Sequence, residues 1–128
     1  MALNAANQSI LPYPVAVGNF LKTGFTIAAI GSTTIVVSAP PGLYRYTAVV
    51  IITTLEASHA VTVNAIVTDD QTAETIAIIN AFSTASTGTT SGTVTLENTA
   101  TANLNFSVTT TDTGTAVGNI YIVVERIF

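Results

Sequence analysis

Apolar and polar residues alternate along most of the chain after Gly24, and this alternation predicts β-strands. In residues 61–68, valine or alanine holds every second position, and Leu104, Phe106 and Val108 repeat the pattern further on. Successive side chains of a strand point to opposite faces, so a period of two is typical of strands with one buried face in an antiparallel sheet. The predicted strands are Phe25–Ile30, Thr33–Ser38, Leu43–Thr54, Ala60–Thr68, Thr75–Ile79, Gly92–Glu97, Asn103–Thr110 and Asn119–Ile127.

Turn-forming residues separate these segments about every ten residues, as at Gly31-Ser32, Pro40-Pro41-Gly42 and Asp69-Asp70. Such spacing predicts an all-β fold, an antiparallel β-sandwich or jelly roll of about eight strands with an extended N-terminal arm. The length of 128 residues corresponds to one ordinary domain.

Two of the predicted strands are apolar on both faces. In Leu43–Thr54 the second face carries Val49 and Ile51, and in the last strand it carries Tyr121 and Val123. A strand that is apolar on both faces is covered on both faces, whereas a two-sheet sandwich covers only one face of each sheet. We therefore expect the outer cover to come from the arm or from another chain. A homo-oligomer is predicted, with a trimer preferred over a dimer.

The predicted arm spans residues 1–22 and the predicted β-sandwich domain spans residues 23–128. Pro12 and Pro14 flank Tyr13, which favours extended backbone and excludes a helix. The arm is apolar enough to need a surface, either its own sandwich or a neighbouring subunit. The predicted partner-binding residues are Leu11, Pro12, Tyr13, Pro14, Val15 and Phe20 of the arm, together with Arg45, Val49, Ile51 and Tyr121 of the sandwich.

Charged residues are scarce in this chain. It has ten of them, three basic and seven acidic, where a typical domain of this length has roughly 30. Three cations neutralise few phosphates, which argues against nucleic acid and against anionic membranes as partners. Polarity comes instead from 24 threonines and 8 serines. Such a surface loses water cheaply against a partner, but a solvent-exposed threonine-rich sandwich is an equally open interpretation.

The beginning of the chain lacks the basic and apolar regions of a Sec signal peptide, and no run of about 18 apolar residues follows. We therefore expect synthesis in a cytoplasm and no membrane span.

Arg45 is one of the three basic residues and lies at the start of the most apolar strand. Alternation places it on the same face as Val49 and Ile51, where its guanidinium reaches the rim of the sheet. Glu125 is its expected carboxylate partner if the last strand pairs with Leu43–Thr54. An exposed pair of this kind contributes little to stability.

No residue pattern indicates catalysis or a cofactor. His59 is the single histidine and there is no cysteine, so a transition-metal site is not expected; Ser58 beside His59 does not form a triad. Asp69, Asp70 and Glu74 lack calcium-loop spacing and suit a hairpin turn. The tract Ser83–Thr93 is a flexible loop or a weak edge strand. We expect no enzyme.

The segments PPGLYRYTAVVIITT, VTVNAIVTDD, SGTVTLENTATANLNFSVTT and GNIYIVVERI, which fall between Pro40 and Ile127, resemble small β-rich virion proteins of tailed bacteriophages. The resemblance implies a structural role on the virion surface: a capsid decoration (cement) protein that binds the outside of the head shell, with the major capsid protein as partner, and stabilises contacts between capsomers. The alternative is a head- or tail-fibre module that binds host-surface glycans.

Overall fold

A computed structural model describes residues 14–54, 60–83, 87–111 and 116–128. Within these residues the chain forms eight β-strands: β1 Val15–Thr26, β2 Ile30–Ala39, β3 Gly42–Thr54, β4 Ala60–Asp69, β5 Thr72–Ser83, β6 Gly88–Asn98, β7 Ala102–Thr110 and β8 Val117–Arg126. The all-β, eight-strand prediction is confirmed.

The strands form two antiparallel four-stranded sheets, in the orders β1-β8-β3-β6 and β2-β7-β4-β5. The pairs are nested: β4 with β5, β3 with β6, β2 with β7 and β1 with β8. Every connection except that between β4 and β5 crosses from one sheet to the other. This is a long hairpin rolled into a sandwich, the jelly roll that strand spacing suggested.

The start of the sandwich differs from the sequence prediction. The predicted strand Phe25–Ile30 is wrong, because β1 ends at Thr26 and residues 27–29 carry the chain to the other sheet. The predicted boundary between residues 22 and 23 falls inside β1, which pairs with β8 from Val15 onwards. Register shifts within β1 break the alternation that would have revealed this strand. Residues 1–13 of the predicted arm lie outside the described residues.

Strands β5 and β6 are longer than predicted, because their edge positions carry polar or small residues that weaken the alternation. Residues 88–93 of the tract Ser83–Thr93 belong to β6, an edge strand. Of the two alternatives for this tract, the edge strand therefore holds for those residues. Residues 84–86 lie outside the described residues.

The core lies between the sheets and contains the inward side chains of all four central strands. Strand β3 contributes Tyr44, Tyr46, Ala48, Val50 and Ile52, each at most 2% exposed. The Tyr46 hydroxyl lies 3.0 Å from Asn105 O and 3.3 Å from Ile66 O, which are backbone oxygens of the opposite sheet. The buried β3 face predicted from the sequence is confirmed.

Asn98 fastens one end of the sandwich. It is 0% exposed, and its amide nitrogen donates to Ala39 O at 3.2 Å and to Ala100 O at 2.7 Å. Its side-chain oxygen accepts from Thr68 N at 3.4 Å. One buried amide therefore joins the ends of β2, β4 and β6, and its burial is compensated by these bonds.

Two glycines allow the open sides of the sandwich to close. A Cβ added at Gly18 of β1 would lie 2.5 Å from Ile35 O of β2, and a Cβ added at Gly92 of β6 would collide with Ile78 O of β5. Each glycine thus sits where an edge strand of one sheet approaches the backbone of an edge strand of the other. A larger side chain would force these edges apart.

We expect Gly92→Ala to destabilise the fold by about 1–3 kcal/mol, since the atom it meets is backbone and cannot rotate away. Gly31→Ala is the control, because a Cβ there has nothing within 4 Å. Urea unfolding of both variants gives the comparison. Equal free energies of unfolding for the two would contradict the close approach of β5 and β6.

Tyr46 should make the fold sensitive to alkali. Burial raises the pKa of Tyr46 far above its ordinary value of 10.0. The unfolded chain loses this proton near pH 10 while the folded chain keeps it, so the stabilisation is complete below about pH 10 and declines as the pH rises further. Tyr46→Phe cannot ionise at this position. Its free energy of unfolding should fall less than that of the wild type between about pH 8 and pH 11, as measured by urea unfolding; parallel pH profiles would disprove this.

Candidate functional site

An apolar patch lies on the outer face of the β1-β8-β3-β6 sheet. Strand register places Leu21 of β1 beside Tyr121 of β8, and Tyr121 beside Val49 of β3. Leu21 is 59% exposed and Tyr121 is 43% exposed, while Val49 is half-buried. Ile51 and Val123 on the same face are also half-buried. We refer to these five side chains as the outer patch.

The outer patch exists because β3 and β8 are apolar at positions that face away from the core. Their inward residues are buried against the opposite sheet, and alternation then turns Val49, Ile51 and Tyr121 outward. Among the described residues, no segment is packed over this face. Exposed side chains of this size clustered together are a feature of interaction surfaces.

An ion pair borders the outer patch at the end of the sheet where β3 begins and β8 ends. Arg45 and Glu125 are opposite each other in the β3–β8 register. Arg45 Nε and Nη2 both donate to Glu125 Oε1, at 3.0 and 2.8 Å. The pairing expected from the sequence is confirmed. The two charges neutralise each other, so this border of the outer patch is polar but carries no net charge.

The outer face of the other sheet is different in character. It presents hydroxyl and amide groups, with Asn105 Nδ2 donating to Ser32 Oγ at 3.2 Å and Asn64 Nδ2 donating to Ser107 Oγ at 3.3 Å. Its half-buried Ile66 is flanked by Asn105 and Thr75 in the register. The two outer faces of the sandwich are therefore chemically unequal, and the apolar one is the candidate site.

The predicted partner-binding residues fall into three groups. Arg45, Val49, Ile51 and Tyr121 share the outer face, as the alternation predicted. Phe20 is a correction: it faces inward and packs on Phe106 with ring centroids 4.5 Å apart, because its β1 position pairs with the buried Ile122 of β8. The remaining arm residues are Pro14, which is exposed, Val15, which is half-buried at the start of β1, and Leu11, Pro12 and Tyr13, which lie outside the described residues.

The set of predicted partner-binding residues left out two members of the outer patch, Val123 and Leu21. Alternation had already placed Val123 on the apolar second face of the last strand, whereas Leu21 needs a different explanation. It belongs to a strand that the sequence pattern did not reveal, since β1 is interrupted by two register shifts. The signal that could have revealed this strand is the pair of adjacent apolar residues Phe20 and Leu21, which can form an edge strand beside the last strand.

No described group of side chains resembles a catalytic or metal centre. The Asp69–Thr72 pair closes the β4–β5 hairpin, and the two turn residues Asp70 and Gln71 both have positive φ, as a type I′ turn requires. The described residues contain no cluster of three or more histidine, aspartate or glutamate side chains able to hold a metal. His59, Ser58 and Glu56 lie outside the described residues.

A shallow pocket of about 500 Å³ opens near the C-terminus and is lined by Pro41, Gly42, Leu43, Glu97, Arg126 and Phe128. The Arg126 guanidinium donates to Pro41 O at 3.0 Å and lies 5.9 Å from the centre of the Tyr44 ring. These contacts hold the chain end against the β2–β3 turn, which is a structural role. No helix in the described part of the chain is long and apolar enough to cross a membrane.

Comparison with known proteins identifies fold similarity. No protein-family model matches the chain, and no curated protein matches it by sequence. The PRD1 vertex protein P5 is similar in structure, with a TM-score of 0.54 and 15% identity over 90% of this chain and 99% of that one. The VP2 subviral particle of infectious bursal disease virus gives a TM-score of 0.47 and 10% identity, over 89% of this chain and 32% of that one. At such identities the likeness to the vertex protein establishes the jelly-roll fold alone.

We expect the Arg45–Glu125 pair to orient side chains more than to stabilise the fold, since the two side chains are 35% and 27% exposed. A double-mutant cycle with Arg45→Met and Glu125→Gln should give a coupling free energy below about 1 kcal/mol. The coupling should shrink further at high salt. Coupling above about 2 kcal/mol, unaffected by salt, would show that the pair is a main element of stability.

Proposed function

We propose that this protein is a structural component of a virus particle: a capsid decoration (cement) protein that binds the outside of a bacteriophage head shell and stabilises contacts between capsomers. The observation that carries the proposal is the outer patch, an exposed apolar surface on one side of a sandwich that has no catalytic centre among its described residues. The fold likeness to the PRD1 vertex protein P5 and the resemblance of the strand sequences to phage virion proteins both support it.

The chemistry of the outer patch suits a protein partner. Leu21 and Tyr121 are the more exposed members, and no charged side chain stands between them and Val49 in the strand register. Burial of apolar side chains stabilises a complex, and hydroxyl-rich surroundings can form hydrogen bonds without the cost of desolvating full charges. The partner that we propose is the major capsid protein, which would place this chain on the virion surface after synthesis in the host cytoplasm.

A single outer patch gives only modest affinity. Three of its five side chains are already half-buried, so covering it stabilises a complex by on the order of 5 kcal/mol. Association itself costs about 4–15 kcal/mol. Stable attachment therefore requires several patches to bind together, as in an oligomer on a shell of repeated subunits. This is the physical basis for proposing a homo-oligomer.

Glycan binding by a fibre module is less well supported. Sugar-binding surfaces use grouped aromatic rings, and among the described side chains the exposed aromatic ones are Tyr121 and Phe128. Tyr121 and Phe128 are seven residues apart in the sequence, which corresponds to roughly 23 Å of extended chain. A glycan array would test this function directly.

Val49→Asp should abolish attachment to shells, because it places a carboxylate in the centre of the outer patch. The experiment is cosedimentation of the purified protein with shells stripped of it. Thr34→Asp is the matched control, since Thr34 is exposed and belongs to the sheet without the outer patch, where it pairs with Asn105. Thermal melting of both variants shows that each is folded.

Two results would contradict the proposal. One is a folded Val49→Asp variant that binds shells as well as the wild type. The other is that stripped shells resist heat and osmotic shock as well as complete ones, in which case the protein does not cement the shell.

A further inference from the structure

Strand β6 is an unusually regular sheet edge. Each sheet of the sandwich has two edge strands, β1 and β6 in one and β2 and β5 in the other. The pairings that hold β1, β2 and β5 contain register shifts. The β3–β6 pairing has none, from Gly42↔Asn98 to Ile52↔Gly88. Proteins usually protect long edge strands with bulges, prolines or charges, because a bare edge pairs readily with another strand. Strand β6 has no bulge and no proline, and its one charge is Glu97 near its end.

The hydrogen-bonding groups on the free side of β6 can be identified from β3. Leu43 N donates to Phe128 O, and Leu43 O accepts from Ile127 N, so Leu43 directs both backbone groups towards the β8 side. Directions alternate along a regular strand, so the even-numbered residues of β3 face β6 and bind its even-numbered residues. The free edge therefore presents the N–H and C=O groups of the odd-numbered residues of β6, which are Thr89, Ser91, Thr93, Thr95 and Glu97. Among the described residues, these groups have no backbone partner.

We propose that the β6 strands of two copies of this chain pair antiparallel along this edge, with Thr93 on the two-fold axis. The two β1-β8-β3-β6 sheets then become one continuous eight-stranded sheet. Thr93 is the midpoint of Gly88–Asn98. This register therefore places each of the five edge-facing residues of one copy opposite an edge-facing residue of the other copy. Each residue of such a pair exchanges both of its backbone bonds, which gives about ten N–H···O=C bonds across the interface.

The side chains of β6 fit this register. On the outer face Thr93 lies opposite its own copy, and Ser91 lies opposite Thr95; Thr–Thr and Ser–Thr pairs are favourable across strands. Glu97 lies opposite Thr89, so the acidic residues of the two copies do not face each other. On the inner face, Gly92 lies opposite the half-buried Val94. An antiparallel pair of identical strands is self-complementary, as a two-fold interface must be.

This dimer would also arrange the outer patches for attachment. The two-fold axis of an antiparallel strand pair stands perpendicular to the sheet, so both copies present the same face on the same side. The two outer patches then lie side by side on one surface and bind a repeated partner together. The dimer does not depend on a shell, and it can be examined with the purified chain alone.

Charge substitution at the two-fold axis tests the proposal. Thr93→Lys places two ammonium groups opposite each other and should weaken the dimer about fivefold, while Thr93→Glu does the same with carboxylates. Mixing the two variants should restore a heterodimer, because opposite charges then meet. Thr34→Lys is the control. Sedimentation equilibrium measures each dissociation constant, and circular dichroism shows that the variants are folded.

Proline and cysteine variants test the same geometry independently. The Thr93 N–H faces away from β3, so Thr93→Pro should keep the monomer folded and remove the dimer. The chain has no cysteine, so Thr93→Cys provides a single thiol that a short bis-maleimide should join into a covalent dimer, whereas Thr34→Cys should stay monomeric.

Several results would overturn this dimer. They are a wild-type chain that is monomeric at every concentration, an oligomer in which Thr93→Cys does not crosslink, or Lys and Glu variants that do not recover on mixing. Pairing of β6 with the N-terminal segment of its own or another copy would appear in a double variant that adds Ser9→Cys to Thr93→Cys, as a crosslink between these two positions in peptide mapping, and it would also overturn the proposal. Shell binding is a separate question, which Val49→Asp tests.

Discussion

Strand β3 is the element on which the rest of the sandwich depends. It is paired along nearly its whole length on both sides, with β6 and with β8, and its inward tyrosines span the core. Tyr46 brings its hydroxyl to the carbonyls of Ile66 and Asn105, where β4 and β7 pair, so one side chain joins the centres of the two sheets. Because the inward face of β3 is committed to the core, its outward apolar residues cannot be buried by its own sandwich. The candidate site is therefore a consequence of the way the core is built.

Much of this arrangement was predictable from alternation and strand pairing. The inward face of β3, the outward position of Val49 and the pairing of Arg45 with Glu125 follow from a period of two and from an antiparallel neighbour. Strand β1 was not predictable in the same way, because its bulges interrupt the period and its glycine at position 18 reads as a break. The inward position of Phe20 was missed for that reason. The closing role of Gly92 was also hidden, since nothing local in the sequence reports an approach to a strand of the other sheet.

Comparison of the two outer faces shows how the low charge of the chain affects contacts between copies. One face carries the outer patch and a self-neutralised ion pair, and the other carries a network of hydroxyl and amide groups. Neither face repels a neighbouring copy strongly, although the net charge of -4 gives a modest general repulsion. A surface of this kind tolerates close packing of many copies. A protein designed to remain solitary in solution usually carries more charge on its surface.

The edge of the sheet and its face are connected through the number of outer patches that can bind a partner at the same time. The outer patch is too small to overcome the cost of association by a wide margin, and an affinity that is weak for one copy becomes strong when two copies bind together. Pairing through β6 would achieve this without using any residue of the patch, because the edge and the face of a sheet are separate surfaces. It would also cover a row of backbone groups that is otherwise a liability for aggregation. The regular edge of β6 and the apolar face that the fold leaves uncovered are thus best understood together, as the two contacts that the proposed assembly would use.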